Sequence, residues 1–142
     1  MAEERNVEIE IESLIEDIDD NGLTEDSSKT VSKAKGILRS NGGLTLIRYT
    51  ETEEGEKSEC EILIAKSSVT VRRKGRANYD FRFEEGKTFS TLYTVPPFSF
   101  DTDIYTRKIV FPINEENQEL SLLYDMTIGG AKKKTKMKVR VK

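Results

Sequence analysis

Two stretches of strict alternation, one at each end of the chain and opposite in charge, restrict the fold more than any other feature of the sequence. Near the start, Val7, Ile9 and Ile11 alternate with Glu8, Glu10 and Glu12. Near the end, Thr135, Met137, Val139 and Val141 alternate with Lys134, Lys136, Lys138, Arg140 and Lys142. A period of two belongs to the β-strand, whose successive side chains point to opposite faces. Each stretch is therefore a strand with one apolar face, and its other face is acidic in the first and basic in the last. Like charges at every second position repel, so neither strand is a good neighbour for a copy of itself. Opposite charges directly across a ladder attract, weakly when exposed, and act on partner choice and register more than on total stability. The first and last strands are expected to pair and to close the sheet into a barrel. Closure also removes two edges that would otherwise template aggregation.

Between these ends the turn signals come at short, fairly even spacing, as in an antiparallel meander. Asp19-Asp20-Asn21-Gly22 ends the first strand, and the polar stretch through Ser28 reads as a loop. A second strand is predicted over residues 29–39, and Asn41-Gly42-Gly43 supplies positive φ for a hairpin into residues 44–50. The acidic loop around Glu54-Gly55-Glu56 leads to residues 59–65, where Cys60, Ile62 and Ile64 share a face. Ser67-Ser68 turns into residues 69–73, and Gly75 punctuates the next connection. Ala77, Tyr79, Phe81 and Phe83 alternate with Asn78, Asp80 and Arg82, and Glu84-Glu85-Gly86-Lys87 reads as the hairpin turn of that strand. Residues 89–95 follow until Pro96-Pro97, which cannot donate to a ladder and must end the strand or place it at an edge. Residues 98–111 fit one bent or bulged strand or two short ones. Asn114-Glu115-Glu116-Asn117 turns into the run Leu120, Leu122, Tyr124, Met126, Ile128, and Gly129-Gly130 hairpins into the basic last strand. Leu14-Ile15 with Ile18 fits a helical turn or a continuation of the first strand. The reading is all-β: a single antiparallel meander β-barrel of about 8–10 strands with little or no helix, one domain over residues 1–142. A two-sheet sandwich shares the same pattern, and closure rests on the charge argument.

Composition narrows the chemistry. A chain of 142 residues builds one core without staples. Its single cysteine, Cys60, excludes an internal disulfide and fits a reducing compartment. The acidic start is no secretory signal, no apolar run approaches about 18 residues, and a soluble, cytoplasmic protein is expected. The absence of histidine removes the commonest general base, the Ser-His and Cys-His pairs and the most frequent transition-metal ligand. One cysteine builds no zinc or iron–sulfur site. No Gly-rich phosphate loop or nucleophile elbow appears, so the chain carries no catalytic motif, and neither cofactor nor metal is expected.

From Arg73 onward the chain resembles the YwiB-like family of small bacterial proteins, a domain family of unknown function. The residues that carry the likeness are Arg73-Lys74-Gly75, Arg82-Phe83 with Gly86, Tyr93-Thr94 with a proline shortly after, and Leu122-Leu123-Tyr124-Asp125-Met126 before the closing glycine hairpin. The N-terminal strand and the regions of Gly36 and Tyr49 extend it more loosely over the first half. Where the family often has Thr-Pro followed by an aromatic residue and Gly, this chain reads Thr94-Val95-Pro96-Pro97-Phe98. The resemblance implies a calycin-like β-barrel and no activity. Lipocalins and fatty-acid-binding proteins share that architecture and hold small apolar ligands, an analogy of fold alone.

Four residues form the candidate ligand site: Tyr79, Tyr93 and Tyr124, whose hydroxyls would converge inside a barrel, and Arg73 as counter-ion for a carboxylate or phosphate. Against this stands plain core packing, since a barrel of about eight strands is just wide enough for side chains to fill. Tyr105 also lies on a strand. Arg72, Arg73, Lys74 and Arg76 form a basic cluster that fits single-stranded nucleic acid or a solvated turn. The net charge of −3 argues against the former. Asp80, Asp103 and Asp125 are the carboxylates nearest aromatic strands, with Asp125 facing water, and Cys60 reads as a small buried hydrophobe. The function read from sequence is non-enzymatic binding of a small apolar or anionic molecule in or at the mouth of the barrel. The alternative is a protein–protein interaction or structural module, with monomer and homodimer both open.

Overall fold

Ten antiparallel strands form a single sheet in the computed structural model, which describes residues 3–111 and 118–142. They are β1 (Glu3–Ile18), β2 (Thr24–Asn41), β3 (Leu44–Glu53), β4 (Glu56–Ile64), β5 (Val69–Lys74), β6 (Tyr79–Phe83), β7 (Thr88–Val95), β8 (Phe98–Val110), β9 (Gln118–Ile128) and β10 (Ala131–Val141). The order across the sheet, β6-β5-β4-β3-β2-β1-β10-β9-β8-β7, keeps each strand beside its neighbour in sequence and brings the two ends of the chain together at its centre. The Asn114-Glu115-Glu116-Asn117 turn lies outside the described residues.

Charge and alternation select the β1–β10 pair as expected. Glu10 stands opposite Arg140, Glu12 opposite Lys138, Glu16 opposite Lys134 and Asp17 opposite Lys133. Arg140 Nη1 lies 3.4 Å from Glu10 and 3.7 Å from Glu12, while its Nε reaches Glu119 of β9 at 3.0 Å. Lys133 Nζ meets Asp17 at 2.6 Å. On the inner face of the same pair, Val7, Ile9, Val139 and Val141 are buried.

The sheet curls until β6 and β7 meet at an isolated bridge. Asn78 N donates to Thr94 O at 2.7 Å, and Thr94 N donates back at 2.9 Å. Barrel closure is therefore nearly complete, and its seam lies between β6 and β7. The sequence reads Glu84-Glu85-Gly86-Lys87 as a hairpin between these strands. A turn does form there, with Lys87 N donating to Glu84 O at 3.1 Å. The strands nevertheless splay, because Gly86 N bonds Thr106 O of β8 at 2.9 Å and Thr106 N bonds Lys87 O at 3.2 Å. Backbone groups committed to β8 are not available to a β6–β7 ladder. Ala77 precedes β6 rather than belonging to it.

β2 begins at Thr24, earlier than its side chains suggest. The polar run expected to be a loop is strand because β1 supplies a backbone partner along its length, with Ser28 opposite Ile15 and Thr30 opposite Ser13. β1 continues through Leu14 and Ile15 to Ile18, with no helical turn. β3 pairs with β2 only over residues 36–41. Among the described residues, no strand covers residues 24–35 on the side away from β1. Gly36 sits at this fork, where a Cβ would meet the Arg48 carbonyl oxygen, Ile9 Cδ1 at 2.7 Å and Tyr49 Cβ at 3.0 Å. β8 is one strand with a register shift between Thr106 and Lys108. Gly42 and Gly43, at φ 54° and 93°, make the β2–β3 turn.

The inner faces of all ten strands converge on one core. Ile62, Phe83, Ile104, Leu120, Leu122 and Val139 are fully buried, and Cys60 lies on the same face as a free, buried thiol.

Candidate functional site

Where the β2–β3 ladder stops and the β6–β7 seam has a single bridge, the inward side chains are polar and aromatic. Tyr49, Cys60, Arg73 and Tyr79 stand in one cross-strand row over β3, β4, β5 and β6. The bridge at the seam places Tyr93 of β7 beside that row. The Tyr79 and Tyr93 ring centroids are 5.7 Å apart with planes 16° from parallel, and Phe81 stacks on Tyr79 at 4.1 Å and 14°. Arg73, Tyr79 and Tyr93, three of the four residues singled out from sequence, thus meet at one end of the barrel.

Arg73 is the charged centre of this end. Its Nη1 donates to Glu51 Oε2 at 2.8 Å, and the two side chains are only 19% and 20% exposed. Among the described residues, its Nε is buried with no hydrogen-bond partner. Glu51 also accepts from the Ser32 hydroxyl at 3.3 Å, which ties the ion pair to the uncovered stretch of β2. Burial works against the Arg73 charge, yet Glu51 holds the guanidinium above its ordinary value. Burial pushes the Tyr79 phenol up to about 12, against the pull of Arg73. The Tyr49 phenol is raised further, first by burial and then by Cys60 and Glu51 alongside. Burial raises the Cys60 thiol as well, although Arg73 opposes it. A neutral thiol and neutral phenols beside a single ion pair are donors and surfaces for a ligand, not nucleophiles.

Tyr124 lies deeper. Its ring centroid is 4.7 Å from that of Phe83, and burial raises its phenol. It stands in a row with Thr106 of β8 and Thr135 of β10, both buried, and among the described residues the Thr106 hydroxyl has no hydrogen-bond partner. Tyr124 is thus the floor of the open end rather than part of its rim.

The rim continues along the β7–β8 hairpin. Phe100 pairs with Tyr93 and Phe98 with Val95, and the alternation that buries Thr102, Ile104 and Thr106 places both phenylalanines on the inward side. Phe98 is nonetheless 64% exposed, at the tip of the β7–β8 hairpin. Sequence reasoning missed Glu51, Phe98 and Phe100. Glu51 follows Ile47 and Tyr49 at period two, a signal that was present but weak for a lone carboxylate.

The remaining candidates face outward. The basic cluster splits: Arg73 turns in, while Arg72 pairs with Asp80 at 3.1 Å and Arg76 with Glu54 at 3.0 Å. Asp103 accepts from Ser90 Oγ at 2.5 Å, and Asp125 holds Arg107 Nε at 2.7 Å on the outer surface. Tyr105 is exposed. Among the described residues, no three acidic or cysteine side chains group as metal ligands, and no helix is long and apolar enough to cross a membrane.

The family model described as "Domain of unknown function (DUF1934)" matches residues 9–140. The chain belongs to this family. Among solved structures, the DUF1934 chain is similar to the ywiB protein from Bacillus subtilis, with a TM-score of 0.81 over 98% of this chain and 92% of that one. At 19% identity this likeness shows the fold alone, an all-β barrel. No curated protein matches the sequence.

Proposed function

We propose that this DUF1934 protein is a non-enzymatic, cytoplasmic barrel that binds a small molecule at its open end. One observation carries the reading: Arg73 is four-fifths buried among Tyr49, Tyr79 and Cys60, yet its Nε has no acceptor. Buried donors are nearly always satisfied, and one left over beside an opening is where a ligand atom belongs. The rest of the interior is occupied by buried aliphatic and aromatic side chains with Thr102, Thr106 and Thr135 among them, which directs binding to the mouth. The carboxylates considered for catalysis are held by outward basic or hydroxyl groups, which supports binding over chemistry. Native mass spectrometry of protein purified without denaturation tests the reading. A mass above that of the polypeptide is expected, and it should fall to the bare chain in Arg73→Gln and Phe98→Ala. A bare chain in the unaltered protein, with no small molecule binding on addition, would sink it.

A second reading, an interaction module, draws on a different feature. Residues 24–35 of β2 present an uncovered strand edge, and such an edge accepts another strand. Sedimentation velocity over a wide concentration range distinguishes the two, since a lone monomer at every concentration removes self-association by that edge.

A further inference from the structure

The open end holds two kinds of unused binding capacity side by side. The first is aromatic: Tyr79 and Tyr93, both only partly buried, have planes 16° apart, with buried Phe81 stacked behind Tyr79, and Phe98, 64% exposed, lies on the β7–β8 hairpin on the same strand face as Tyr93. The second is ionic. A guanidinium has five N–H donors, and on Arg73 the bond to Glu51 uses Nη1 while Nε stays buried and unpaired. An unpaired buried donor is unfavourable until an acceptor arrives.

We propose that the ligand is a flat aromatic or conjugated molecule carrying one oxyanion. The ring system lies against Tyr79, Tyr93 and Phe98, and the oxyanion takes guanidinium donors of Arg73 that Glu51 leaves free. This inference rests on the ligand-binding reading above and adds the chemical class. Three features favour that class. Nearly parallel rings present a face on which another flat ring stacks. A long saturated chain would instead need an apolar tunnel, and the path inward is closed by Tyr124, Phe83 and Leu122. Glu51 neutralises part of the Arg73 charge, so a monoanion suits the pair better than a polyanion.

Two fluorescent probes with the same ring system separate these contributions: 1-anilinonaphthalene-8-sulfonate, which carries a sulfonate, and the uncharged N-phenyl-1-naphthylamine. The sulfonate probe is expected to bind at least about tenfold more tightly, in line with a charge-assisted hydrogen bond. Arg73→Gln should bring the two within about twofold, with circular dichroism confirming the fold. Phe98→Ala, at an exposed position, should weaken both probes by a similar factor. If Arg73→Gln does not fold, the Arg73 Nε–H resonance of the unaltered protein should shift with the sulfonate probe and stay fixed with the uncharged one. Equal affinities that Phe98→Ala lowers alike would overturn the oxyanion while leaving the open end a binding site. Displacement of the sulfonate probe by hexadecanoate at lower concentration than by a naphthalene carboxylate would overturn the flat-ring class. No binding of either probe would overturn the ligand class, and the native mass of the unaltered protein then decides separately whether this end binds a small molecule.

Discussion

At Gly36 the sheet has no room for a side chain. The Arg48 carbonyl oxygen, Ile9 Cδ1 and Tyr49 Cβ crowd the position a Cβ would take, and two of the three are backbone or the root of a side chain, which move least. Gly36→Ala should therefore cost about 1–3 kcal/mol, as overpacking does, read as a lower urea midpoint. Thr106 illustrates the opposite case. Its hydroxyl is buried without a partner, and Thr106→Val keeps the shape while removing the unmet group. A gain of about 1 kcal/mol is expected, and a loss would mean that the hydroxyl finds a partner in solution. Tyr79 adds a pH dependence. Its phenol titrates near 12 in the folded chain against an ordinary 10.0, so between those values the unfolded chain holds fewer protons and stability falls as pH rises. Below about pH 10 the contribution is fully present. The urea midpoint of the unaltered protein should fall relative to that of Tyr79→Phe on going from about pH 9 to about pH 11.5, and parallel profiles would contradict this. Alternation alone assigned Cys60 and Tyr124 to the buried face, because period two needs no knowledge of neighbours. The pairing of Glu51 with Arg73 and the crowding at Gly36 are consequences of register between strands, which one strand's sequence does not contain.

Among the elements, β1 and β10 were legible as partners because their outer faces carry opposite charge at matching positions, Glu10 against Arg140 and Glu12 against Lys138. The start of β2 was not. Residues 24–28 hold no apolar alternation, and only the backbone partner offered by β1 makes them strand. The seam was hidden for a related reason. Glu84-Glu85-Gly86-Lys87 has hairpin chemistry, and the departure arises from bonds to Thr106, a residue some twenty positions away. The seam has a measurable consequence. With one isolated bridge between them, β6 and β7 have backbone groups facing each other without a ladder. Amides on the seam side of β6 should exchange with solvent far faster than those of β1 facing β10, where the ladder runs from Ile9 to Ile18. Hydrogen exchange followed by NMR reports both in one experiment. Equal protection on both sides would mean that β6 and β7 are zipped in solution.

For the whole molecule, the chain's connectivity and the barrel's cyclic order are out of phase by half a turn. The sheet is continuous through β1–β10, which the chain does not connect, and broken at β6–β7, which it does. Folding must therefore close a loop of nearly the whole chain before Ile9 can meet Val141, and non-local pairing of this kind slows folding. A circular permutant puts the two orders in phase. New ends between Glu85 and Gly86 cut a connection whose strands share one bridge. A linker of about eight residues from Lys142 to Glu3 suffices, since about five residues of β1 run past the point where Glu8 bonds Lys142 and an extended residue spans about 3.3 Å. In that protein every ladder joins strands adjacent in sequence, from β7 through β10, then β1 to β6. It should fold at least several-fold faster than the parent in stopped-flow refolding, with the change carried mainly by the folding rate because the native ladders are the same. If the permutant folds no faster, the β1–β10 pair is not what limits assembly, and the opposite charges on those strands guide the final register rather than the encounter.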